Sequence, residues 1–239
     1  MRKTLFTLLF AISYAAIYAQ SFEGLLSIDY KSETGSRSAA DVYVKGEKFY
    51  IKKVFGGCSR YNEYIYSSKT RVLSCLSPQP PKTALSLDAD NVMDIYEKKQ
   101  LRSGYHVHIS HPYEITGASK KIEGVIADEK KASDSSGTYD IWETDLKISF
   151  GDLLPILRVI GYWGDAEDGD NAILESKTIT GKSLKASTIT LTPQKMKVDD
   201  NIFIIPDSYQ QVDLDKFLVN ESKSPRFNDL VKAFTGFTQ

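Results

Sequence analysis

DVYVKGEKFYIKKVF, residues 41–55, decides the fold class. Phe49, Ile51 and Phe55 fall on one face of an extended chain; Tyr50, Lys52 and Val54 fall on the other. That alternation is the two-residue period of a strand. Lys45-Gly46-Glu47 interrupts it, and glycine supplies the backbone freedom of a tight hairpin turn. Strands joined by so short a turn run antiparallel.

The same pattern extends outward. In FEGLLSIDY (22–30), Phe22, Gly24, Leu26, Ile28 and Tyr30 share a face. YNEYIYSSKTRVLSCL (61–76) reads as a second hairpin turning at Ser67-Ser68-Lys69. SPQPPK (77–82) leaves the sheet, because proline has no N–H to donate. Further strands are predicted over 105–109, 119–127, 137–144, 172–180, 183–191 and 201–205. Helix signals are fewer. Residues 87–101 carry Asp88 as a cap, acids early and bases late, as the helix dipole favours. KSPRFNDLVKAFTGF (223–237) has Ser224 as cap, Pro225 in the first turn and Gly236 as stop. Its Phe227, Leu230, Val231 and Phe234 form one apolar face. The balance is α+β, mostly β: a large antiparallel sheet with a few helices.

Residues 1–19 read as an export signal. Arg2 and Lys3 precede an uncharged apolar run, and Ala19-Gln20 is a suitable cleavage point. The run is shorter than the roughly 20 apolar residues of a membrane span, and no later stretch qualifies. Residues 20–239 then form a single domain, destined for the periplasm, the cell envelope or the medium. Net charge is −1 with acids and bases interspersed, which leaves no field to recruit nucleic acid. Cys58 and Cys75 are the two cysteines. In an exported chain they are expected to form a disulfide, worth about 3 kcal/mol for so short a loop.

GYHVHISHPYEITG (104–117) holds all three histidines. His106 and His108 share a strand face and His111 follows, a spacing that raises the question of zinc. The alternation of Tyr105, Val107 and Ile109 with His106 and His108 is also that of a half-buried strand, so no metal site is expected. GDAEDGDN (164–171) crowds four acids without the order of a calcium loop and reads as a solvated turn. No nucleophile elbow, phosphate loop or dinucleotide fingerprint appears. No enzyme activity and no cofactor are expected.

ISFGDLLPILRVIGYWG (148–164) is unlike ordinary surface. Asp152 and Arg158 are its charges among Phe150, Leu153, Leu154, Ile156, Leu157, Ile160, Tyr162 and Trp163. Pro155 suits the first turn of a short helix, and deep inside one it would cost about 3 kcal/mol. A segment apolar all round is either a buried plug of the core or the wall of a cavity for an acyl chain. On the second reading these eight residues, with Trp142 on the preceding strand, are the ligand contacts.

The order of blocks resembles an exported family common in Bacteroidetes, itself distantly similar to the periplasmic lipoprotein carriers LolA and LolB. The blocks are FEGLLSIDY, DVYVKGEKFYI, YIYSSKTRVLSCL, KKIEGVIADEKKA, YDIWETDLKIS and MKVDDNIFIIPDSYQ. Where that family carries an I-x-G-Y-x-C type block, this chain reads Ile122-Glu123-Gly124-Val125-Ile126-Ala127. A second resemblance, to the GLPGLI exported family, runs through WETDLKISFGDLLPIL. The first resemblance implies a half-open antiparallel barrel wrapped around a few helices, sheltering an acyl chain or other apolar ligand. It brings no catalytic residues. The expectation is an exported carrier of a lipid or acylated ligand, with another envelope protein as a possible partner. The alternative is a structural or interaction module whose core is filled by its own helix.

Overall fold

The structure, a computed structural model, describes residues 22–33, 35–53, 61–90, 113–133, 137–144, 146, 148, 150–159, 171–180 and 185–212. The expected export signal at 1–19, most of the helix expected at 87–101, the three histidines and the helix expected at 223–237 lie outside the described residues.

Six strands run in simple succession from Glu23: β1 (Glu23–Ser32), β2 (Gly35–Lys45), β3 (Lys48–Lys53), β4 (Glu63–Ser67), β5 (Val72–Ser77) and β6 (Thr83–Asp88). Five more form a second meander: β7 (Glu114–Ile122), β8 (Val125–Ser133), β9 (Gly137–Thr144), β10 (Ala172–Thr180) and β11 (Lys185–Lys195). β11 pairs with β1 and fuses the meanders into one 12-stranded sheet, ordered β12-β6-β5-β4-β3-β2-β1-β11-β10-β9-β8-β7. β12 (Gln210–Val212) adds to β6 in parallel; every other pairing is antiparallel.

This corrects the half-open barrel wrapped around several helices. The described residues form one open sheet whose edges are β7 and β12, with a single α-helix, α1 (Phe150–Val159), and a 3-10 turn at Asp200–Phe203. Within each meander every strand lies beside the one before it, so the sheet grows sideways. A ten-residue helix is only about 15 Å long, too short to be the axis of a barrel.

Over residues 41–53 the hairpin forms as its pattern predicts. Lys45 faces Lys48 across Gly46-Glu47, and Gly46 takes φ 58°. One face of the sheet is built in cross-strand rows. Leu26, Val42, Ile51, Tyr64, Cys75 and Leu85 face one another in turn, and all are fully buried. Gly24, Val44, Phe49, Tyr66, Leu73 and Leu87 make the next row. Each large apolar side chain so buried contributes roughly 1.5–3 kcal/mol. Phe49 stacks on Tyr66 at 5.8 Å between centroids, and the Tyr64 hydroxyl donates to the Tyr61 carbonyl at 2.9 Å.

Three local expectations are revised. Residues 119–127 are a hairpin, not one strand: Glu123 (φ 46°) and Gly124 (φ 87°) turn the chain between β7 and β8. The alternation continues across the turn, so periodicity alone does not reveal it. Residues 201–205 are not a strand. The Asp199 side chain accepts from the Asn201 N–H at 3.0 Å and caps the 3-10 turn instead, as short acids do. At the start of the 87–101 helix candidate, Leu87 and Asp88 instead close β6; the Asp88 carboxylate accepts from the Asp90 N–H at 2.9 Å, and residues 91–101 lie outside the described ones.

Candidate functional site

Helix α1 starts at Phe150, which puts Pro155 in its sixth position rather than its first turn. The loss of a backbone donor there costs about 3 kcal/mol. Burial offsets it: Phe150, Leu153, Leu154, Ile156 and Leu157 are each 0–1% exposed and join the same core cluster as the sheet rows. These five candidate ligand contacts all lie within that cluster. Ile160, Tyr162 and Trp163 lie outside the described residues.

Trp142 is in a different place. It alternates on β9 with Ile141 and Glu143, both buried, so its indole leaves by the opposite face. There the Lys120 ammonium lies 4.0 Å from the ring centroid and 2.6 Å from a Glu175 carboxylate oxygen. Beside it Glu129 accepts from the Thr116 hydroxyl at 2.8 Å and pairs with Lys131 at 3.0 Å. These contacts, Lys131 foremost, hold the Glu129 carboxyl below its usual range.

At one end of the sheet Arg71 ties several elements together. It occupies the β4–β5 turn with φ 54°. Its guanidinium donates to the Tyr66 hydroxyl at 2.7 Å and to Asp90 at 2.5 Å, while its carbonyl accepts from the Ala89 N–H at 2.8 Å. Burial raises the Tyr66 pKa, and Arg71 opposes that shift. Asp152 on α1 lies within electrostatic reach of both groups. Arg71→Ala is expected to cost about 2 kcal/mol, the worth of hydrogen bonds to a charged group. Arg71→Gly is expected to cost about 1 kcal/mol less, because glycine accepts the left-handed backbone freely. Urea titration of the pair checks this; equal losses would show that the positive φ carries no strain.

The face of β1–β6 opposite the core is crossed by a strap, residues 196–212. The Val198 N–H donates to Glu23 at 2.8 Å. Lys45 donates to the Val198 carbonyl at 3.1 Å and to Asp200 at 2.7 Å, and Lys48 reaches Asp200 at 3.3 Å. At the far end the Gln210 N–H donates to the Lys82 carbonyl at 2.9 Å, and β12 pairs with β6. The hydrogen bonds from Lys45 and then Lys48 lower the Asp200 pKa. The clasp's contribution is thus present above the ordinary carboxylate range and is lost as pH falls through the lowered value.

Beside the strap, Tyr43 faces Tyr50 across the first hairpin. Their centroids are 5.9 Å apart and their planes tilted by 37°. The Tyr50 hydroxyl hydrogen-bonds the Glu63 carboxylate, and burial, then Glu63, push its pKa well up. Tyr209, on the strap, interacts electrostatically with Tyr50 and Glu63, and the Lys82 ammonium is 5.7 Å from its ring centroid. All four residues are half-buried. The sequence held a signal for part of this cluster, since Tyr43 and Tyr50 are equally spaced about the Gly46-Glu47 turn. Glu63 and Tyr209 gave none.

Cys75 is buried on β5, and Cys58 lies outside the described residues. No group of three or more metal-ligating side chains occurs among the described residues. No helix among them is long and apolar enough to cross a membrane.

No protein-family model matches the chain, and no curated protein matches it. Among solved structures it is similar to PNGF-II in a C2 crystal form, with 14% identity and a TM-score of 0.45 over 85% of this chain. A P21 form of the same protein gives 13% identity and a TM-score of 0.44, also over 85% of the chain. The chain spans about a third of PNGF-II, 33% and 34% respectively.

Proposed function

We propose that the protein is an exported, non-catalytic binding module whose core is filled by its own helix and whose working surface is the strapped outer face of the sheet. The supporting observation is the burial of Phe150, Leu153, Leu154, Ile156 and Leu157 at 0–1% exposure. Side chains that line an open acyl cavity keep accessible surface for the ligand; these have given theirs to the core. Export rests on Arg2, Lys3 and the apolar run that follows.

The test is titration of the mature protein with a fluorescent fatty acid. The filled core is expected to give no saturable uptake. Uptake of one molecule per chain, abolished by substitutions on α1, would reinstate a carrier of apolar cargo. The Cys58–Cys75 bridge belongs to the same proposal through the oxidising compartment. Thiol titration of the unfolded, unreduced protein is expected to find none free, and two free thiols would reject the bridge.

A further inference from the structure

We propose that Tyr43, Tyr50, Glu63 and Tyr209 form a binding site for a neutral saccharide ring; the proposal rests on reading the outer face as the working surface. The rings come pre-positioned. Tyr43 and Tyr50 are locked opposite each other by the register of a two-residue hairpin, and tyrosine offers a large contact area with only two side-chain torsions to fix. Their planes are tilted by 37° rather than stacked flat, and both side chains keep part of their surface exposed.

The charges around the rings select the ligand. Glu63 supplies hydrogen-bond acceptors, while Lys52, directly opposite it across β3 and β4, and Lys82, over Tyr209, supply donors. A purely apolar ligand would strip water from these groups and give them no new partner. A pyranose, with an apolar face and hydroxyls that both donate and accept, fits that mixture. Its C–H face is weakly positive and suits the negative face of a phenol ring. Its hydroxyls donate to the remaining acceptor capacity of Glu63 and accept from the lysines. Tyr209 arrives on the strap, held there by the Gln210 N–H bond to the Lys82 carbonyl and by the pairing of β12 with β6.

The test is isothermal titration of the whole mature protein with cellotriose, maltotriose and chitotriose, and with choline and inorganic phosphate as charged probes. At least one saccharide is expected to bind with a Kd of about 1 mM or tighter, and the charged probes are not. Tyr43→Ala and Tyr50→Ala are each expected to weaken that binding about ten-fold, the upper end for an aromatic contact. Tyr50→Phe keeps the ring and the fold and is expected to lose less. The site is rejected if none of the three saccharides binds, if choline or phosphate binds more tightly, or if binding survives Tyr43→Ala and Tyr50→Ala together. The outcome is separable from the filled-core reading: silence from both saccharides and fatty acid removes this site alone, while fatty-acid uptake removes the filled core alone.

Discussion

Leu157→Gln is expected to lower stability by about 4 kcal/mol, the lost burial of leucine plus an amide left without partners. For a chain of this size that is a fall in melting temperature of roughly 10 °C. Leu157 is fully buried, as are Phe150, Leu153 and Leu154 on the same helix, so the amide has no route to water. Leu157→Met keeps volume and apolarity and is expected to cost less than about 1.5 kcal/mol. Calorimetry and urea denaturation of the pair make the measurement. If Leu157→Gln leaves the melting temperature where it was, α1 borders solvent or a ligand space, and the filled core is wrong.

Gly24→Ala carries the next largest effect, about 3 kcal/mol, for overpacking that the backbone cannot relieve. A Cβ at Gly24 would run into the Gln194 carbonyl oxygen and come within 2.8 Å of the Phe22 ring. Gln194 lies on β11, next to the Lys195 that faces Gly24, so the strain falls on the seam between the two meanders. Ser27→Ala, on the same strand, removes only a hydrogen bond to Asp41 and is expected to cost about 1 kcal/mol. Hydrogen exchange locates the damage: the amides of β1 and β11 should lose protection before those of β3–β5. Uniform loss across the sheet would mean that the seam is not where the strain is held.

The strands were legible wherever one face is buried and the other wet. The faces of β1 and β3, the turn at Gly46, and the limits of β9 and β10 follow from alternation alone. Where both faces are covered, alternation fades. In β5 all residues after Val72 are buried, and in β10 a bulge between Ile173 and Glu175 turns three successive apolar residues inward. Elements fixed by a single polar contact were invisible, such as the 3-10 turn that Asp199 caps and β12, which exists because β6 offers it an edge. The extent of the sheet was hidden for another reason. A meander and a half-barrel share the same local pattern, and the pairing of β1 with β11 leaves no mark in either strand. The apolar stretch around α1 stands out in the sequence, but hydrophobicity cannot tell a wall from a filling. The tyrosine cluster draws on three strands and the strap, and register alone brings it together.

The seam also governs the order in which the chain can assemble. Each meander is made of neighbours in sequence, whose contacts close quickly. β1 is different: Ile28 faces Leu191, and almost the whole chain must be present before that pair forms. Until then the first meander holds an unpaired, apolar strand edge of the kind that recruits other chains. The arrival of β11 is therefore the step expected to limit refolding yield, and a truncation that removes β11 while sparing every residue of β1–β6 leaves that edge open.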